Sequence, residues 1–275
     1  MADSFDKRIT PARADLAAAH LRGKVEAPRY VEGEKRSVCI GRASLRTEAD
    51  FGSMQATELL HGEIFTVYDQ QGDWIWGQAE SDLYVGYLFY MNAGPIFSTD
   101  ATVSALMAPV FSEADLKKPL YDKLPLNSRV KTMGLDGVYV NMGYGFVHQR
   151  HLAPQTQRDF VTVAQRFLGV PYVWGGKTQA GLDCSGLVQT SLQAVGKVAP
   201  RDTDMMEKTL GDAVTLSDVR RGDLIFWKGH MGVMLDTRSL LHANAFHMEV
   251  AIEPLAEAMA RIEKIAGPVT SIKRL

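Results

Sequence analysis

Residues 181–192 read Gly-Leu-Asp-Cys-Ser-Gly-Leu-Val-Gln-Thr-Ser-Leu, or GLDCSGLVQTSL. With Asp183 as N-cap, Cys184 is the first residue of an amphipathic helix, and Gly196 stands just past its end. Peptide dipoles and unpaired backbone N–H groups then converge on the sulfur, a setting that favours the nucleophilic thiolate. Ser185 and Gly186 keep the first turn slim, so that a substrate backbone can approach. The same N–H groups can stabilise the oxyanion of a tetrahedral intermediate. Position alone leaves two readings of Cys184 open, a nucleophile or a small buried core residue.

Around this stretch the pattern is helical first and strand-like afterwards. TQRDFVTVAQRFLGV has apolar residues at helical spacing (Phe160, Val163, Ala164, Phe167, Leu168) and stops at Gly169 and Pro171. RGDLIFW, HMGVMLD and SLLHANAF are strand candidates, PLAEAMARIEKI is a further helix, and PVTSIKRL a last strand. This order predicts an α+β domain whose helices pack on an antiparallel sheet. A thiolate enzyme needs a base, and the base needs orienting. His230 opens the second strand of a hairpin, and His242 stands where the next strand can bring it alongside. Two such rings can hydrogen-bond, one fixing the tautomer of the other. His20, His148 and His151 read as surface or structural histidines.

Upstream, two β-rich stretches read as divergent copies of one unit. CIGRASLR leads to a strand-rich segment closing at Gly86-Tyr87-Leu88, and SALMAPVF to one closing at Gly145-Phe146-Val147. Short strands broken by Gly and Asp predict two small barrels. TPARADLAAAHLRG predicts an N-terminal helix with Thr10 as N-cap, followed by a polar connector. Cys39, in SVCIGRA, which alternates like a half-buried strand, reads as a small buried hydrophobe. The composition is that of an ordinary soluble protein, with 46% hydrophobic and 23% charged residues among 275. A net charge of -2 gives no reason to expect nucleic acid or an anionic membrane as partner. Acids in MADSFDKRIT, where a signal peptide would be basic, make the expected location cytoplasmic. Neither a His-Glu-x-x-His nor a Cys-x-x-Cys pairing occurs, so no metal or other cofactor is expected.

YVWGGKTQAGLDCSGLVQ, RGDLIFWKGHMGVML and LLHANA together resemble the three signature blocks of the NlpC-type cell-wall cysteine peptidases. The preceding part resembles the paired bacterial SH3-like domains of the members that trim muropeptides, the γ-D-glutamyl-L-diamino acid endopeptidases. The resemblance implies a papain-like peptidase domain over 154–275, SH3-like barrels over 36–97 and 98–153, and the helix and linker over 1–35. It implies hydrolysis of the γ-D-Glu–meso-diaminopimelate bond in murein peptides with a free N-terminal L-Ala. It makes Cys184 the nucleophile, His230 the general base and then acid, and His242 the orienting third residue. Tyr172 matches an oxyanion-side tyrosine, while Asp183 and Ser185 match positions that hold the substrate, with Asp183 also a candidate helix cap. Asp202 and Thr203 match a loop usually written Arg-Asp-Ser, from which Thr203 departs by an added methyl. Glu63 of LLHGE and Tyr84, with Tyr87 as the second choice, match the recognition of the L-Ala amine, which must find a carboxylate if it is to be buried. His61 stands where a tyrosine is common. Two other classes remain: a thiol-dependent acyltransferase or amidase on the same fold, and a non-catalytic cell-wall peptide-binding module.

Overall fold

The computed structural model describes residues 5–152 and 159–275, which form two compact units, one on each side of residues 153–158. The expected domain boundary at 153/154, and the first residues of the TQRDF stretch, lie outside the described residues. The α+β class read from the sequence is the class observed: the described residues hold twenty-four strands and four α-helices, three of which are ten residues or shorter. No helix among the described residues is long and apolar enough to cross a membrane.

The N-terminal helix expected over residues 10–23 does not form. Two-residue strands β1 (Ala17–Ala18) and β2 (Tyr30–Val31) pair in parallel, and a single 3-10 turn covers Ala19–Leu21. Leu16, Ala17 and Ala18 are consecutive and all fully buried, clustered with Tyr68 and Trp76 of the first barrel. A surface helix buries one stripe and would turn one of those three residues outward. An extended strap buries all three. Arg13 anchors it, its guanidinium 4.6 Å from the Trp76 ring centre and ion-paired with Asp69.

The first barrel consists of β3 (Glu34–Val38), β4 (Arg42–Arg46), β5 (Gln55–Leu60), β6 (Ile64–Gln71), β7 (Trp74–Ala79), β8 (Val85–Phe89) and β9 (Ala93–Gly94). Its sheet order is β5-β4-β8-β7-β6-β3-β9. Alternate residues, among them Leu45, Phe65, Ile75 and Leu88, fill its core. The second contains β10 (Ala101–Thr102), β11 (Met107–Phe111), β12 (Leu120–Pro125), β13 (Arg129–Val130), β14 (Leu135–Asp136), β15 (Tyr139–Asn141) and β16 (Phe146–His148). Its main sheet runs β12-β11-β16-β15-β14, the order β5-β4-β8-β7-β6 over again, and β10 pairs with β13. The repetition in the sequence is therefore a repetition of strand order. The barrels meet at His61, whose Nδ1 lies 2.8 Å from the Arg129 carbonyl and whose Nε2 lies 3.1 Å from the Tyr144 hydroxyl. Only an N–H can meet a carbonyl, so Nδ1 carries the proton and Tyr144 donates to Nε2. Cys39 departs from expectation: it follows β3 and is exposed, because the strand ends at Val38.

In the C-terminal unit, Asp159 caps α1 (Phe160–Gln165), and the chain turns at Gly169, leaving Leu168 exposed and outside the apolar face expected for it. A two-strand ribbon, β17 (Lys177–Thr178) and β18 (Gly181–Leu182), leads into α2 (Cys184–Gln193). α2 is not amphipathic. Every residue from Cys184 to Leu192 is buried, and the polar ones bond inside: Thr190 to the Lys177 carbonyl, Ser191 to the Leu187 carbonyl, Gln189 to the Ala199 carbonyl. After α3 (Thr203–Thr209), a helix absent from the sequence reading, come β19 (Asp212–Ala213), β20 (Leu224–Trp227), β21 (His230–Met234), β22 (Ser239–Asn244) and β23 (Glu249–Pro254). α4 (Leu255–Ala266) and β24 (Ser271–Arg274) complete the unit. The six-stranded antiparallel sheet runs β19-β24-β20-β21-β22-β23. α4 buries Leu255, Ala258 and Ile262 against Trp227, Met234 and Leu240, while α2 packs on β21 and β22.

Candidate active site

Asp183 is the N-cap of α2, its Oδ1 accepting the Gly186 N–H at 2.7 Å, so Cys184 occupies the first helical position as the sequence predicts. Asp183 holds more than the cap. Oδ1 also accepts from Arg201 Nη1 and the Ser185 hydroxyl, and Oδ2 from Arg201 Nη2 and the Gly175 N–H. Five donors saturate a carboxylate with about four lone-pair directions. Ser185 Oγ in turn accepts from Arg201 Nη1 at 2.8 Å. The small Gly186 serves the fold rather than a ligand, because a Cβ there would stand 2.1 Å from the Gly176 carbonyl oxygen.

The Cys184 sulfur faces the Thr203 hydroxyl at 3.6 Å and the Met231 backbone N–H, one residue from His230. Burial, reinforced by the Asp183 charge, pushes the thiol up to about 11, although Thr203, Met231 and Arg201 favour the anion. Burial and the Asp183 charge thus favour a thiol at rest, opposite to the thiolate expected from the helix N-terminus. Tyr172 is held by its N–H on the Met248 carbonyl and a bridge to Leu182. Burial and the neighbouring Cys184 and Asp183 push its phenol upward, so it stays a donor.

His230 Nε2 and His242 Nδ1 lie 2.8 Å apart, the pairing of rings predicted from HMGVML and SLLH. Gly232 makes room for it, since a Cβ there would stand 3.0 Å from the Cβ of His242. Behind His242 the contacts continue to two residues that the sequence reading passed over. His242 Nε2 is 2.7 Å from Glu253 Oε1, which Arg261 Nη2 also contacts. Their signal was present: Glu253 is an acid inside the alternating strand EVAIEP, pointing to the face on which His242 lies. Burial, with Arg261 nearby, holds His230 down to about 4. Burial, His230 and Arg261 hold His242 to about 2, so both rings are neutral at pH 7. His242, His247 and Glu253 place possible metal-ligand atoms within 4.8 Å of one another, but Arg261 already supplies the cation at that carboxylate.

Asp202 occupies the N-cap position of α3 without a side-chain cap bond. Glu63 and Tyr84 belong to the N-terminal unit. Glu63 is buried at the β5–β6 turn, accepting the Leu60 N–H at 3.0 Å, and Tyr84 packs in the first barrel's core. Tyr87 lies beneath Arg13, which donates to its hydroxyl.

Residues 169–265 match the NlpC/P60 family, and residues 45–89 match the bacterial dipeptidyl-peptidase Sh3 domain. The chain carries an NlpC/P60 domain behind a bacterial dipeptidyl-peptidase SH3 domain. It is a cysteine peptidase. A γ-D-glutamyl-L-lysine dipeptidyl-peptidase of Bacillus subtilis is 29% identical over 76% of this chain and 79% of its own. Its namesake from Bacillus cereus is 27% identical over 77% and 73%. The crystal structure of an NlpC/P60 family protein from Bacillus cereus shares the fold, with a TM-score of 0.74 and 19% identity, over 88% of this chain and 99% of that one.

Proposed function

We propose that this NlpC/P60 peptidase hydrolyses the γ-D-Glu–diaminopimelate bond of peptidoglycan-derived peptides bearing a free N-terminal L-Ala. The observation that carries the reading is the buried Cys184 at the start of α2, its sulfur beside the Met231 N–H, next to a His230 bonded to His242. The bond position also agrees with the names of the two Bacillus relatives, in which γ-D-glutamate precedes a diamino acid, there lysine.

In this scheme the substrate carbonyl meets Cys184 as a thiol. His230 Nδ1 takes the Sγ proton while sulfur adds to the carbonyl carbon, and the C=O electron pair moves onto oxygen. The N–H groups at the start of α2 and the Tyr172 phenol hold that oxyanion. Collapse expels the diaminopimelate amine, which takes the proton from His230 and leaves an acyl-thioester on Cys184. Water, deprotonated by His230, attacks the thioester, releases L-Ala-γ-D-Glu and regenerates the thiol. Because internal donors already fill the Asp183 and Ser185 side chains, substrate contacts at these positions run through the backbone, and Asp202 and Thr203 supply side-chain ones. The free-amine requirement rests on the resemblance, which gives the L-Ala ammonium to Glu63 and Tyr84. Peptides with that amine free have left the muramic acid of the wall, which favours a role in recycling, in the cytoplasm.

The test incubates wild type and Cys184→Ala with L-Ala-γ-D-Glu-diaminopimelate, its lysine counterpart, their N-acetyl forms and intact sacculi, and weighs every product. Free diamino acid released by wild type alone, from the free-amine peptides alone, is the expected outcome. Equal rates on free and acetylated peptides would remove the amine role of Glu63, and a transferred acyl group would point to an acyltransferase.

A further inference from the structure

The structure extends the proton path beyond the three residues that the peptidase reading uses, and the extension has a direction. On β22 and β23, Leu240 pairs with Glu253 and His242 with Ala251, so Glu253 lies diagonally across from His242 on one face of the sheet. Leu240 on that face packs against α4, the helix that carries Arg261. Arg261 is held from two sides, by Glu253 and by the Phe246 ring 4.3 Å from its guanidinium carbon. A carboxylate paired with a guanidinium is an acceptor only. The 2.7 Å contact between Glu253 Oε1 and His242 Nε2 is therefore a hydrogen bond only if that nitrogen carries the proton. A neutral ring has one N–H, which makes His242 Nδ1 an acceptor. His230 Nε2, 2.8 Å away, must then be the donor, and His230 Nδ1 is left with a bare lone pair.

We propose that Glu253, gripped by Arg261, is a positioning residue that sets the tautomers of both histidines, so that His230 presents an unprotonated Nδ1 for the Cys184 proton. Without an obligate acceptor at the far end, the two rings are equally well bonded in the reverse order. His230 would then carry its proton on Nδ1 and could not act as a base. The inference rests on the cysteine-peptidase reading of Cys184 and His230 and adds the residue that gives their relay its polarity.

Glu253→Gln tests it. The amide keeps the shape but turns its oxygen to Arg261 and its NH2 group to His242 Nε2, which reverses the chain. Nitrogen-15 spectra of the histidine rings are expected to show Nε2–H on His230 and His242 in wild type and Nδ1–H on both in Glu253→Gln. The kcat on the free-amine peptide is expected to fall by at least about a hundredfold, with KM within about threefold, the pattern of a lost orienting carboxylate. Glu253→Asp, still an acceptor, should restore the wild-type tautomers and much of kcat. A folded Glu253→Gln protein with wild-type kcat or wild-type tautomers would overturn the proposal, as would Nδ1–H on either ring of the wild type. The ring spectra need no substrate, so they decide on Glu253 even if Cys184→Ala shows that the peptides are not cleaved through that sulfur.

Discussion

Cys184, a thiol that ionises near pH 11, and His230, an imidazole that protonates near pH 4 and adjoins the Met231 whose N–H faces the sulfur, are both uncharged at neutrality. The groups facing them are Asp183, Arg201, Thr203 and the Met231 N–H at the sulfur, and His242, Arg261 and Trp227 at the rings. kcat/KM is therefore expected to form a plateau, falling on the acid side near pH 4 and on the alkaline side near pH 11. An acid limb near the ordinary histidine value of 6.5 would contradict a burial-shifted base. Stability follows the same shifts. Below pH 6.5 the unfolded chain takes up protons that the buried rings of His230 and His242 refuse, so the stability they contribute is lost as pH falls towards 4. Above pH 9 the unfolded chain releases a proton that buried Cys184 retains, so stability is lost as pH rises towards 11. Urea titrations across that alkaline range should show a larger loss in wild type than in Cys184→Ser, where the raised Tyr172 and Tyr144 phenols still contribute.

At the scale of the element, α2 is set by one ion pair. Asp183 caps the helix, binds the Gly175 N–H and receives two nitrogens of a buried Arg201. Arg201→Ala leaves that carboxylate buried and without its cation, and is expected to destabilise the C-terminal unit by roughly 3–5 kcal/mol in urea unfolding. Arg201→Met with Asp183→Asn should cost less than Arg201→Ala alone, which checks that the penalty comes from the orphaned charge. The helix start was legible in GLDCSG because capping is local chemistry, carried by neighbouring residues. The burial of α2 on all sides was not, because Thr190, Gln189 and Ser185 find partners outside the helix, at Lys177, Ala199 and Arg201, while Ser191 turns back on the Leu187 carbonyl. Glu253 escaped for a related reason: an acid in a strand reads as solvent-facing until its diagonal partner is known to be a histidine.

On the scale of the whole chain, the repeated strand order was legible in the recurrent Gly-aromatic-apolar steps, whereas residues 10–23 were misread as a helix. Their alanines suit a helix in isolation, yet packing on Tyr68 and Trp76 overrides that preference. Removing residues 1–31 is expected to uncover both rings, raise binding of a hydrophobic dye and lower the unfolding temperature of the N-terminal unit. An unchanged melting curve would mean that the strap is dispensable.

The bonds of His61 to the Arg129 carbonyl and the Tyr144 hydroxyl carry a lesson for engineering. A chimaera that borrows the first barrel alone would leave an imidazole with no acceptor and no donor across the seam. Modular exchange should therefore transplant both barrels as one cassette, and libraries that shuffle them separately should be depleted in folded members unless position 61 is varied at the same time.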